Sequence, residues 1–145
     1  MEYKVLLVDD EEAFHKLIPN FLGLAKEHKF TVHSALNGKE GIEMYSKLVN
    51  DGQKPDIVLM DLRMPVMDGV EATKRIIEND PKANIYLFTA YAKTQIERDA
   101  LEAGAKGTIN KIADWDRTLK NIINILESQG PEIWEFEKKK FKLSS

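Results

Sequence analysis

Polar residues interrupt this chain at regular places. Val5–Leu6–Leu7–Val8 is a continuous apolar run that stops at Asp9, and Ile57–Val58–Leu59–Met60 stops at Asp61. Ile85–Tyr86–Leu87–Phe88 stops at Thr89, and the shorter stretch Gly107–Thr108–Ile109–Asn110 stops at Lys111. Unbroken apolar runs of this kind suit strands buried on both faces, as in a parallel sheet. Phe30–Thr31–Val32–His33–Ser34–Ala35 alternates instead and predicts one further strand.

Between the strands the apolar spacing changes to three and four. Phe14, Leu17, Ile18, Phe21, Leu22 and Leu24–Ala25 predict a first amphipathic helix. Asp10 and Glu11 lie at its N-terminus, where negative charge is favoured. Pro19 falls inside this helix, removes one backbone donor and crowds the carbonyl of His15, so a kink is expected. Ile42, Met44–Tyr45 and Leu48–Val49 predict a second helix, opened by Asn37–Gly38 and ended by Asn50–Asp51–Gly52. Val70, Ala72–Thr73, Ile76 and Ile77 predict a third, stopped by Asn79–Asp80–Pro81. Thr94 reads as the N-cap of a fourth helix carrying Ile96, Ala100, Leu101 and Ala103, which Gly104 closes. Trp115, Leu119, Ile122–Ile123 and Leu126 predict a fifth, terminated by Gly130–Pro131.

The order is strand then helix, repeated five times. Such alternation means an α/β domain: a parallel sheet with helices on both faces. Five units fit a flavodoxin-like doubly wound sheet of order 2-1-3-4-5, with its switch point between strands 1 and 3. An eight-unit barrel would need roughly 250 residues, and the chain has 145.

Composition narrows the chemistry. The chain is 43% hydrophobic and 31% charged, which suits one ordinary globular domain able to fold without disulfides or metals. It has no cysteine, which excludes disulfides, thiol catalysis and cysteine-based zinc sites. A net charge of −3 offers no footprint for nucleic acid. The chain opens Met-Glu-Tyr-Lys and enters a strand directly, with no secretory signal and no apolar stretch of about 18 residues; a cytoplasmic location and no membrane partner are expected.

In the order 2-1-3-4-5, the ends of strands 1, 3, 4 and 5 meet at one edge, where ligands bind in open α/β sheets. That edge receives Asp9, Asp10, Asp61, Thr89 and Lys111. Each has a plainer reading: Asp61, or Asp9 with Asp10, as a helix cap, Thr89 as an ordinary strand end, Lys111 as a solvated surface lysine. Five coincidences at equivalent strand ends are harder to accept than one. Three clustered carboxylates repel unless a cation sits among them. Oxygen ligands without His or Cys favour a hard ion such as Mg²⁺, which takes one or two carboxylates plus phosphate oxygens. A lysine and a hydroxyl opposite would bind phosphoryl oxygens, and an Asp can itself be the nucleophile, forming an aspartyl phosphate.

These residues resemble the receiver domain of two-component response regulators. The matches are Leu6-Leu7-Val8-Asp9-Asp10-Glu11, Asp61-Leu62-Arg63-Met64-Pro65-Val66-Met67-Asp68-Gly69, Phe88-Thr89-Ala90, and Gly104-Ala105-Lys106-Gly107 leading to Lys111. The resemblance covers about residues 3–128 and implies a chemotaxis-regulator-like phosphorelay switch. It implies that Asp61 accepts a phosphoryl group from a phosphohistidine on a sensor histidine kinase or phosphotransfer protein. It implies Mg²⁺ held directly by Asp10 and Asp61, through water by Asp9, and by the backbone carbonyl of Arg63. Thr89 and Lys111 would contact the phosphoryl oxygens. A downstream protein partner would then read the surface of the fourth helix, fifth strand and fifth helix. Such a domain catalyses only its own phosphorylation and dephosphorylation.

Two departures stand out. The family's switch aromatic falls on Thr108, with Tyr91 the nearest substitute in sequence. The proline that usually follows the lysine is Ile112. A non-proline cis bond costs about 2.5–4 kcal/mol, so Lys111–Ile112 is expected trans, in a looser or differently placed loop. Beyond a receiver domain at 1–129, residues 130–145 form an extension. Pro131 suits a first helical turn, and Ile133, Trp134, Phe136, Phe141 and Leu143 lie among charges. The extension reads as an extra helix, as a linker, or as a partner or homodimer contact through Trp134 and Phe141.

Two other functions compete. A haloacid-dehalogenase-type phosphatase would carry Asp-x-Asp after strand 1, whereas here strand 1 ends Asp-Asp-Glu and the candidate nucleophile follows strand 3. A phosphorylation-independent binding module would keep its partner after Asp61→Asn. In the resembling family the positions of Arg63 and Tyr91 flank the path of the attacking water, and both are large here. Phosphate loss is therefore expected to be slow, and Arg63→Ala or Tyr91→Ala is expected to change the decay rate of the phosphoprotein, followed by mass spectrometry.

Overall fold

The computed structural model describes residues 1–90, 92–111 and 114–128. In chain order it contains β1 (Glu2–Val8), α1 (Glu12–Leu22), β2 (Lys29–Ala35), α2 (Gly38–Asn50), β3 (Ile57–Met60), α3 (Gly69–Asn79), β4 (Ile85–Thr89), α4 (Gln95–Glu102), β5 (Gly107–Asn110) and α5 (Trp115–Ser128). The strands form one parallel sheet of order β2-β1-β3-β4-β5, the doubly wound arrangement expected from the alternation.

The apolar runs are buried because helices cover both sides. Leu6, Val8, Val58, Met60, Ile85 and Leu87 join one cluster with Tyr45, Ala72, Ile76 and Ala100 of α2, α3 and α4. Val5, Leu7, Ile57, Leu59, Phe88 and Ile109 join another with Ile18 and Leu22 of α1 and Ile122 and Leu126 of α5. Successive residues of a strand alternate between these two layers, so an unbroken apolar run still obeys a period of two.

The helix starts follow their capping residues. Asn37, Asp68 and Thr94 accept from the amides of Glu40, Glu71 and Glu97 at 2.9, 2.9 and 3.3 Å. Helix α1 has Glu11 at its N-cap with no side-chain bond, runs through Pro19, and ends at Leu22. That is short of the expected Leu24–Ala25. The chain turns there, with Ala25 N–H bonding the Leu22 carbonyl at 3.1 Å, and Leu24 is 64% exposed. Gly23 weakens the helix at that point. The Lys111–Ile112 bond, Tyr91 and residues 130–145 lie outside the described residues. Among the described residues no helix is long and apolar enough to cross a membrane.

The loop from β3 to α3 is pinned at two glycines. Gly69 N–H bonds the Leu62 carbonyl at 2.8 Å, and a Cβ on Gly69 would lie 2.0 Å from the Asp61 carbonyl oxygen. Gly38 N–H bonds the Met67 carbonyl at 3.1 Å, and a Cβ there would come within 2.6 Å of that oxygen. Between these anchors Val66 has φ +68° and is 77% exposed. A β-branched residue in the left-handed region is strained, with little packing to offset it. Val66→Asn is expected to raise stability by about 1 kcal/mol, because Asn tolerates this conformation. A shift of the urea midpoint at constant slope would measure it.

Candidate functional site

Sheet register assembles the site. β1 and β3 pair with Val8 opposite Met60, and Asp61 N–H bonds the Val8 carbonyl at 2.9 Å. Asp9 and Asp61 therefore leave adjacent strands side by side. β4 and β5 pair with Thr89 opposite Asn110, and Lys111 N–H bonds the Thr89 carbonyl at 3.0 Å. Lysine and threonine thus leave the next pair of strands at the same end, on opposite pleats.

The side chains converge. Lys111 Nζ lies 2.6 Å from Asp9 Oδ2 and 3.3 Å from Asp61 Oδ2. All three side chains are buried, and Lys111 keeps only 7% of its surface. That is far from a solvated surface lysine. Thr89 is fully buried. Asp10 is exposed but contributes an oxygen to a group, with Asp9 and Asp61, whose oxygens lie within 4.8 Å of one another. Arg63, two residues past Asp61, is exposed.

The cap readings do not account for these acids. Asp68, not Asp61, caps α3. Asp61 Oδ1 accepts from the next amide, Leu62 N–H, at 2.8 Å. Asp9 Oδ1 accepts from Glu11 N–H at 2.9 Å, which shapes the turn into α1 while Oδ2 faces the lysine.

Charge in this pocket is unbalanced. Burial and the neighbouring Asp9 push the Asp61 carboxyl up to about 6, against the opposing pull of Lys111 and the Leu62 amide. Burial works to lower the Lys111 pKa, but contact with Asp9 and Asp61 outweighs it and holds the group above its ordinary value. Three carboxylates against one ammonium leave two negative charges uncompensated. An all-oxygen donor set with that deficit fits a hard divalent cation.

Two contacts were not read from the sequence. His15 Nε2 donates to the Asp9 carbonyl at 2.7 Å, bracing the acidic turn. The ring of Phe14, read only as a helix-core residue, faces the Lys111 ammonium, 4.3 Å from its centroid. Counting in twos offers the missing signal: Val5 and Leu7 lead to Asp9, Ile57 and Leu59 to Asp61, and Ile109 to Lys111. All continue the layer that α1 and α5 cover. Asp10 and Thr89 continue the other.

The family model for the response regulator receiver domain matches residues 5–138. The chemotaxis protein CheY of Halobacterium salinarum is 39% identical over 112 residues, covering 77% of this chain and 86% of that protein. The transcriptional regulatory protein LnrK of Bacillus subtilis is 33% identical over 122 residues, covering 84% of this chain and 53% of that protein. The chain thus spans about half of one relative and most of another. A CheX–CheY–BeF3–Mg²⁺ complex from Borrelia burgdorferi superposes with a TM-score of 0.71 at 28% identity, covering 85% of this chain and 88% of that one. The chain belongs to the response regulator receiver domain family of two-component signalling.

The raised Asp61 pKa carries a stability consequence. In the metal-free protein the folded state holds this proton more tightly than the unfolded state, so the associated stability is present below about pH 4 and is lost as pH rises through about 6. Asp61→Asn keeps the Leu62 contact and removes the charge. It is expected to stabilise the metal-free protein by about 2 kcal/mol at pH 8 and by little at pH 4, measured by urea unfolding at both pH values.

Proposed function

We propose that this domain accepts a phosphoryl group on Asp61 from a phosphohistidine of a sensor histidine kinase or phosphotransfer protein, and that the modified domain changes its affinity for a downstream protein partner. The observation that carries this reading is the buried Asp61 carboxylate with one oxygen tied up and the other beside an ammonium. Oδ1 is held by Leu62 N–H, which leaves Oδ2, 3.3 Å from Lys111 Nζ, as the attacking atom. Oδ2 forms the bond to phosphorus as the phosphorus–nitrogen bond of the donor breaks, and the imidazole leaves with the electron pair. The new phosphoryl oxygens then lie next to the Lys111 ammonium, with Thr89 on the neighbouring strand as the hydroxyl contact.

Asp9, Asp10, Asp61 and the Arg63 carbonyl would hold the divalent cation, Mg²⁺ by preference. When bound, that ion supplies positive charge for the transferring phosphoryl group and keeps Asp61 ionised. A relative whose crystals combine CheY with BeF3, Mg²⁺ and CheX supports the reading by likeness. The reaction is self-modification rather than turnover of a substrate, and a cytoplasmic setting goes with it.

Incubation with acetyl phosphate and Mg²⁺, followed by intact-mass and peptide mass spectrometry, tests the chemistry. The wild type is expected to gain one phosphoryl group at Asp61. Chelation of the metal, or Asp61→Asn, is expected to abolish the gain. No adduct on the wild type, or the same adduct on the Asn variant, overturns the reading.

A further inference from the structure

Lys111 is held from three directions, and only two of them are carboxylates. The third is Phe14, whose ring centroid lies 4.3 Å from Nζ; Phe88 lies farther, at 5.5 Å. Phe14 sits in the first turn of α1, just past Asp9 and Asp10, so the helix that begins at the acidic turn also carries the ring across to β5. That ring is wedged. It meets Phe88 edge-on, with centroids 5.6 Å apart and an interplanar angle of 88°, and packs against Trp115 at 5.8 Å. Trp115 in turn stacks on Phe21 at 5.1 Å. The face of a benzene ring is its negative pole, and attraction for a cation grows when water is excluded, as it is around this lysine.

We propose that Phe14 is a positioning residue for Lys111, its ring face keeping the ammonium beside Asp61 Oδ2 during phosphoryl acceptance. The need for it follows from the ion pairs. The shortest contact of Lys111 is with Asp9, and Asp9 is also a candidate for the cation. With Asp9 engaged toward a divalent ion, directly or through water, a flexible four-carbon side chain would lose part of its tightest hold. The ring does not compete for the metal and stays in place. This role rests on Asp61 being the phosphoryl acceptor.

Fluorination of the ring separates electrostatics from packing. Mono-, tri- and pentafluorinated phenylalanines at position 14 keep a ring of nearly the same shape while progressively removing its negative face. The initial rate of Asp61 phosphorylation by acetyl phosphate with Mg²⁺ is expected to fall stepwise, by roughly five-fold or more across the series. Phe14→Leu is expected to fall as far, and Phe14→Tyr to stay near wild type. Proton NMR of the metal-free protein gives a readout without phosphorylation: the Lys111 ε-methylene should resonate upfield from the ring current, in Phe14→Tyr as in wild type, and lose that shift in Phe14→Leu. Equal rates across the fluorinated series, or an unshifted Lys111 signal, overturn the proposal while leaving the acceptor role intact. A wild type that takes up no phosphoryl group overturns the acceptor role and this role with it.

Discussion

Asp9 and Asp61 are buried beside each other with one lysine between them, and the rest of the structure is arranged to tolerate that. Removing like charges from water is costly, and a single ammonium does not cancel three carboxylates. Replacing such a buried group by apolar side chains is often neutral, or stabilising by about 1–4 kcal/mol. The cluster is therefore poorly explained as a device for stability. The raised Asp61 pKa, the fixed Lys111 and the Asp61 Oδ2 turned toward it are better explained as preparation for charge that arrives later. A divalent cation would relieve the imbalance that the folded chain builds.

The backbone around the cluster carries the same signature. Gly69 lets the start of α3 close onto the Asp61 carbonyl, and Gly38 locks the intervening loop against α2. Between them Val66 takes a positive φ that its side chain disfavours. Strain of this kind persists only where the surroundings over-determine it, and it collects beside sites. Local conformational stability has been given up beside Asp61, and two well-packed layers on either side of the sheet make that tolerable.

Much of this was legible from residue order. Strands buried on both faces leave unbroken apolar runs, and their polar ends mark the sheet edge, so the fold and the set Asp9, Asp10, Asp61, Thr89 and Lys111 came from pattern alone. Caps at Asn37, Asp68 and Thr94 follow from short-range chemistry that sequence displays directly. The end of α1 did not, because Leu24 and Ala25 keep the helical spacing while the chain already turns toward β2. Nor did the partner of Lys111. Asp9 and Asp10 are chemically identical neighbours, and only the pleat of β1 decides which one points at the lysine. Phe14 was hidden for a related reason: its spacing says that it faces the sheet, but reaching β5 depends on how α1 lies across the strands.

That last point bears on how a signal could leave the site. The β5 position at which the family carries a switch aromatic holds Thr108, on the pleat opposite to Ile109 and Lys111. A threonine there has no ring to swing between buried and exposed positions. The aromatic mass around the lysine lies instead on the other face of the sheet, in Phe88, Phe14, Trp115 and Phe21, where α1 meets α5. Any shift of Lys111 away from Asp9 therefore begins against a ring already wedged between the sheet and Trp115. A close-packed contact of that kind must either hold or re-seat, since packed side chains do not deform continuously. Among the described residues, the ring nearest the Lys111 ammonium belongs to α1 and packs against Trp115 of α5.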